Sequence, residues 1–192
     1  MDSMKALYQN QTITLTLLLS TTFFSYISCD SNTTTILITS TCNHTLYVDV
    51  CMSSLQSHAN SQTALDLQGL ASISINVTIS QAIKNINFIK AMTDQLISSP
   101  HPPQDHEYVA SCLDDCLIEY GEAIDDLEQA HEALNEGEFG TMNVMVAGAM
   151  ANANSCENGF GEKKGVQSPL MDLNVFFMKL CSNSMAISNL LS

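Results

Sequence analysis

Apolar residues recur at helical spacing in four separate stretches of the chain. From Leu65 to Ile97, the positions Leu70, Ile73, Val77, Ile79, Ile83, Ile86 and Ile89 form a stripe broad enough to be buried on more than one side. The linker Ser98-Ser99-Pro100-His101-Pro102-Pro103 cannot continue a helix, because proline lacks a donor and clashes with the preceding turn. Asp105 then offers an N-cap for the next helix. That helix has the seam Val109, Leu113, Cys116, Tyr120, Ile124, Leu127 and Leu134, sustained for about 26 residues, or roughly 40 Å. The turn from Asn135 to Gly140 stops it. A third helix carries Met142, Met145, Ala149 and Ala153 on one face, with Cys156 at its end. Its small residues, among them Ala147, Gly148 and Ala151, permit close helix approach. Asn158-Gly159-Phe160-Gly161 opens a loop holding Lys163 and Lys164. Pro169 starts the last helix, whose seam is Leu173, Phe177, Leu180, Ile187 and Leu191. Long helices joined by short loops predict an all-α, up-down-up-down four-helix bundle. Ahead of it, Thr35 to Gln62 carries Cys42 and Cys51 and reads as an N-terminal helical hairpin.

The start of the chain reads differently. Lys5 precedes an apolar run from Ile13 to Ile27, short for a membrane span and right for the core of a signal peptide. Residues 1–29 are therefore expected to be a cleaved signal, leaving 30–192 as the domain. No later stretch is apolar enough to span a bilayer, so no membrane association is expected after cleavage. Three sequons, at Asn32, Asn43 and Asn76, are candidate N-glycosylation sites and agree with export to the extracellular space. The chain has seven cysteines; setting Cys29 aside leaves an even number, which in a secreted domain reads as disulfides.

Charge narrows the partners. The net charge is -14, with six lysines and no arginine, which argues against nucleic acid and against anionic membranes. Twelve acids lie between Asp105 and Glu138 without a lysine or arginine among them. No i,i+4 ion pair can relieve them within the helix. A basic protein partner would, with Glu122, Asp125 and Asp126 at the middle of the run as candidate contacts. An acidic face serving solubility is the competing explanation.

Catalytic chemistry finds no support. Cys112 and Cys116 could share one helical face, but no further ligands stand at metal-binding spacing. Adjacent Asp114-Asp115 and Asp125-Asp126 point in different directions, whereas a glycosidase pair must face across a cleft. Neither G-x-S-x-G nor HExxH occurs. No enzyme activity, metal or cofactor is expected.

Several stretches resemble one family. "DCLIEYGEAIDDL" (Asp115 to Leu127) is similar to the Asp-Cys-x-x-x-Tyr-x-x-Ala-x-x-x-Leu motif of plant invertase and pectin methylesterase inhibitors. "AGAMANANSCENGF" (Ala147 to Phe160) and "TSTCNHTLYVDVCMSSL" (Thr39 to Leu55) resemble two further segments of that family. "DLQGLASISINVTISQAIK" (Asp66 to Lys84) and "GFGEKKGVQSPL" (Gly159 to Leu170) are similar to pollen-type members described as invertase inhibitors. The resemblance covers essentially the whole chain after the signal.

The resemblance implies disulfides Cys42–Cys51 and Cys116–Cys156, the second closing a 40-residue loop at roughly 4 kcal/mol of chain entropy. A third bridge, Cys112–Cys181, is possible if the second and last bundle helices lie side by side; free core thiols are the alternative. The family further implies a secreted, apoplastic protein that blocks a cell-wall carbohydrate enzyme as a 1:1 complex. Pectin methylesterase and acid invertase are the two targets, and a non-inhibitory binding or storage protein of the same fold is the third reading. Invertase inhibitors of the family carry Pro-Lys-Phe before the third bundle helix, where this chain has Gly137-Glu138-Phe139. An anion replaces the cation, which favours a basic pectin methylesterase over the acidic invertase cleft.

Overall fold

The computed structural model describes residues 33–59, 66–101 and 104–192. The expected signal at 1–29, with Cys29, and the sequon residue Asn32 lie outside these residues. Helix α1 spans 33–42, and α2 Val48–Ala59. They are followed by α3 Leu67–Ser98, α4 His106–Glu136, α5 Phe139–Gly161 and α6 Met171–Asn189. Among the described residues every regular element is a helix.

Helices α3 to α6 form a four-membered ring. Helix α4 packs on α3 and α5, and α6 closes the ring against α5 and α3. Helices α4 and α6 stand at opposite corners, as do α3 and α5; their backbones do not approach across either diagonal, and α4 reaches α6 only through long side chains. The hairpin helix α2 lies against α3 and α6. Its attachment is specific. The Asn183 side chain of α6 donates to the Tyr47 carbonyl at 3.0 Å and accepts from the Tyr47 amide at 3.3 Å. The side-chain amide thus pairs with the main chain as another strand of backbone would.

Helix ends follow local chemistry. Asp66 caps α3 by accepting from the Gly69 amide at 2.8 Å. Asp105 stands at the α4 N-cap position but makes no capping bond; its carboxylate pairs with Lys163 at 2.7 Å. A full charge two loops away outcompetes the local amides. Gly137 ends α4 with φ of 79°, in the left-handed region that glycine enters at little cost. The amide of Glu138 reaches the Ala133 carbonyl at 2.8 Å and that of Gly137 the Leu134 carbonyl at 3.2 Å, as in a Schellman motif. Helix α5 runs through Asn158-Gly159-Phe160-Gly161, where a loop was expected, because Phe160 is buried in the core and holds the last turn. Helix α6 begins at Met171, two residues after Pro169.

The core contains a polar line. Tyr120 of α4 is fully buried, its ring edge-on to Phe177 of α6 with centroids 5.3 Å apart. Its hydroxyl accepts from Asn85 of α3 at 2.8 Å and donates to Asn174 of α6 at 2.7 Å. Asn174 in turn donates to Glu157 of α5 at 2.7 Å, and Ser168 donates to the same carboxylate oxygen at 2.7 Å. Burial pushes the Tyr120 phenol far up, so it stays a proton donor. One hydrogen-bonded line therefore touches all four bundle helices and the α5–α6 loop. The bridge Cys116–Cys156, with Cα atoms 4.7 Å apart, fastens α4 to α5 beside it.

Replacing Tyr120 by Phe keeps the ring but strands the Asn85 donor and the Asn174 acceptor in the core. Urea unfolding is expected to show a loss of about 1–3 kcal/mol. An unchanged midpoint would mean that the line contributes nothing to stability.

Candidate functional site

Helix α4 turns its apolar seam inward and leaves two acidic rows outside. Asp114, Ile118, Asp125 and Glu132 lie on the outermost ridge and are exposed. Asp115, Glu119, Glu122 and Asp126 step along the flank that borders α5, at positions where i,i+4 and i,i+3 neighbours meet. A shallow groove of about 210 Å³ runs between this flank and α5, lined by Asp115, Ile118, Glu119, Ser155 and Gly159. Ile118 is 63% exposed, an apolar side chain standing among carboxylates. Among the described residues no lysine pairs with Asp114, Asp115, Glu122, Asp125, Glu128 or Glu132.

The three acids singled out from the middle of the run do not share one environment. Glu122 and Asp125 are exposed. Asp126 is half-buried and turned toward α5. It accepts from Asn152 at 3.2 Å, and its Oδ2 lies 2.7 Å from where a Cβ on Gly148 would be. Asp126 therefore seats α4 on α5, and the absence of a side chain at Gly148 leaves room for its carboxylate. Burial, then the charges of Glu122 and Asp125, raises the Asp126 carboxyl against the opposing bond from Asn152. Glu119 is raised in the same way, by burial first and then by Glu122 and Asp115.

The α4–α5 turn presents one side chain. Glu138 is exposed, whereas Phe139 packs against the core and its carbonyl accepts from Ser188 at 3.2 Å. The left-handed Gly137 leaves no place for the family's proline, whose φ is fixed near -65°. The turn thus displays an anion on a glycine hinge.

The remaining candidate residues fall as follows. Cys42 is bonded to Cys51, and Cys116 to Cys156. Cys112 and Cys181 are buried free thiols. Of the two readings for this pair, the free core thiols hold and the Cys112–Cys181 bridge does not form; the expectation that α4 and α6 lie side by side fails, since they stand at opposite corners of the ring. Cys112 instead borders the α4–α5 groove, and Cys181 is sealed in the core. Asn43 is exposed in the turn after α1, while Asn76 is half-buried in the middle of α3, with Thr78 of its sequon fully buried. No group of three or more His, Cys, Asp or Glu converges as metal ligands would among the described residues. Asn85, Asn174 and Glu157 carry the buried polar line, a role that no motif in the sequence assigns them. Their signal was polar residues at seam positions of apolar helices.

Comparisons with known proteins agree with this architecture. Residues 36–187 match the family described as plant invertase/pectin methylesterase inhibitor. A Platanus orientalis protein named "Putative invertase inhibitor" is 34% identical over 74% of this chain and 79% of its own length. The "Cell wall / vacuolar inhibitor of fructosidase 2" of Arabidopsis thaliana is 34% identical over 80% of this chain and 82% of its own. The crystal structure of a mutant form of a pectin methylesterase inhibitor from Arabidopsis superposes with a TM-score of 0.62 at 25% identity, over 79% of this chain and 94% of that one. With the all-helical bundle and its two disulfides, these matches show that the chain belongs to the plant invertase/pectin methylesterase inhibitor family, as a proteinaceous inhibitor of cell-wall enzymes and not an enzyme itself.

Proposed function

We propose that this protein is secreted to the apoplast and blocks pectin methylesterase as a 1:1 complex. The observation that carries the reading is the α4 surface: exposed carboxylates around Ile118, with no lysine among the described residues to neutralise them. A basic esterase would meet complementary charge at the rim and an apolar contact at the centre. Asp114, Glu122 and Asp125 are the acids free to make that contact; Asp126 is occupied in holding α5. Glu138 adds a further anion at the end of the same helix.

Acid invertase is the second reading, and the relatives at 34% identity named for invertase and fructosidase favour it. Against it stands Glu138, which would enter a cleft of catalytic carboxylates as a like charge. A binding or storage protein of the same fold is what remains if neither enzyme is inhibited.

Titration of both enzymes near apoplastic acidity decides between them. The wild-type protein is expected to inhibit pectin methylesterase and to leave invertase nearly untouched. Glu138→Lys, with Gly137 retained, is expected to raise invertase affinity more than tenfold, on the order of 2 kcal/mol or more. Neutralising Glu122 and Asp125 is expected to slow association with the esterase and flatten its salt dependence. Strong invertase inhibition that ignores Glu138→Lys would overturn the preference.

Acidity also acts on the fold. Glu119 and Asp126 have carboxyls raised above their unfolded values, so the folded state holds their protons more tightly than the unfolded state does. Their contribution is fully present below the unfolded range, about pH 4. It is lost as pH rises through the folded values. Asp126→Asn is therefore expected to raise the melting temperature at neutral pH and to flatten the fall in stability between acid and neutral conditions. An unchanged pH slope would show that Asp126 is not strained in its charged form.

A further inference from the structure

We propose that the groove where α2 meets α3 and α6 binds a single hexuronate ring. The groove lies apart from the acidic rows of α4 and does not depend on which enzyme is inhibited. Its volume is about 230 Å³, below the roughly 300–1,000 Å³ of pockets that hold drug-sized ligands. That accommodates one six-membered ring.

The lining specifies the chemistry. Val77 and Leu180 give a buried apolar floor, and Phe176, 38% exposed, gives an aromatic wall. Over this lie polar atoms whose protons are already committed. The Ser57 hydroxyl donates to the Ser54 carbonyl at 2.9 Å, with His58 Nδ1 2.9 Å from both of these oxygens, and the Ser80 hydroxyl donates to the Asn76 carbonyl at 2.8 Å. Gln81 spends an amide proton on Asn85 at 2.8 Å. What Ser57, Ser80 and the Gln81 carbonyl have left is lone pairs. A ligand for them must bring several donors of its own, as a polyol does. Lys84 stands exposed on the same rim, with no carboxylate partner among the described residues. It supplies one cation in a protein of net charge -14. Several hydroxyl donors, one carboxylate, and an apolar face to lay on Phe176 describe a pyranose bearing an acid group. The aromatic wall takes the C–H face of the ring, the serines and Gln81 take its hydroxyls, and Lys84 takes its carboxylate.

Heteronuclear NMR of the isotopically labelled secreted protein tests this with D-galacturonate as the probe. Saturable shifts are expected at the amides of Ser57, Ser80, Lys84 and Phe176. D-galactose, the same ring without the acid, is expected to bind at least tenfold more weakly. Acetate, the acid without the ring, is expected to give no saturable shift in the groove. Lys84→Met is expected to abolish the preference for the acid, and Phe176→Ala to weaken both sugars. Both side chains are solvent-facing, and the unperturbed spectrum elsewhere confirms that each variant is folded. Absence of saturable shifts in the groove with galacturonate would overturn the proposal. So would galactose binding as tightly, or indifference to Lys84→Met.

Discussion

The buried hydroxyl of Tyr120 is the point on which the bundle turns. Apolar seams alone let four helices slide and rotate against one another at little cost, since Leu, Ile and Met contacts are non-directional. A hydrogen bond is directional, and a buried one left unmade costs more than a made one contributes. The line from Asn85 through Tyr120 and Asn174 to Glu157 can close only when α3, α4, α5 and α6 are in one register. A second buried contact, Ser74 to Ser184 at 2.6 Å, repeats the constraint between α3 and α6 further along. Cys116–Cys156 adds a covalent tie between α4 and α5 at the edge of the same layer. The hairpin is an attachment to this frame, held through Asn183 and Tyr47.

A frame fixed from within leaves the outside free to carry charge. Helix α3 has two lysines and one aspartate along its 32 residues, whereas α4 bears ten of the twelve acids between Asp105 and Glu138. Self-repulsion along α4 opposes folding, more so where carboxylates approach α5 and lose water. The raised carboxyls of Glu119 and Asp126 record that opposition. Gly148 and Asn152 are the local accommodation, one by having no side chain and the other by donating to Asp126. That opposition grows as pH rises from acid toward neutral and the two carboxyls lose their protons.

Much of this was legible in the sequence, because periodicity reports burial. The seam from Val109 to Leu134 faces inward throughout, and α3 and α6 follow theirs closely. The exceptions have causes that sequence does not display. Ile83 lies on the broad α3 stripe yet is 47% exposed, since the ring geometry covers only part of that stripe. Asp105 has the residue type of a cap but finds Lys163, a partner 58 positions away in the chain. Cys112 and Cys181 look like a pair only if the order of helices around the ring is misjudged. Asp126 belongs by composition to the acidic display, but the Asn152 amide holds it against α5 in the space left by Gly148. Asn85 and Asn174 read as interruptions of apolar seams until Tyr120 is seen between them.

Native-state hydrogen exchange across a denaturant series tests the central claim most directly. If the Tyr120 line locks the four helices into one register, the slowest amides of α3, α4, α5 and α6 should open together, with one free energy and one dependence on denaturant. Those of α2 should open separately and at lower cost. Opening of α6 or α3 ahead of the other bundle helices would contradict the account, since a helix that leaves on its own cannot be held by a bond shared among all four.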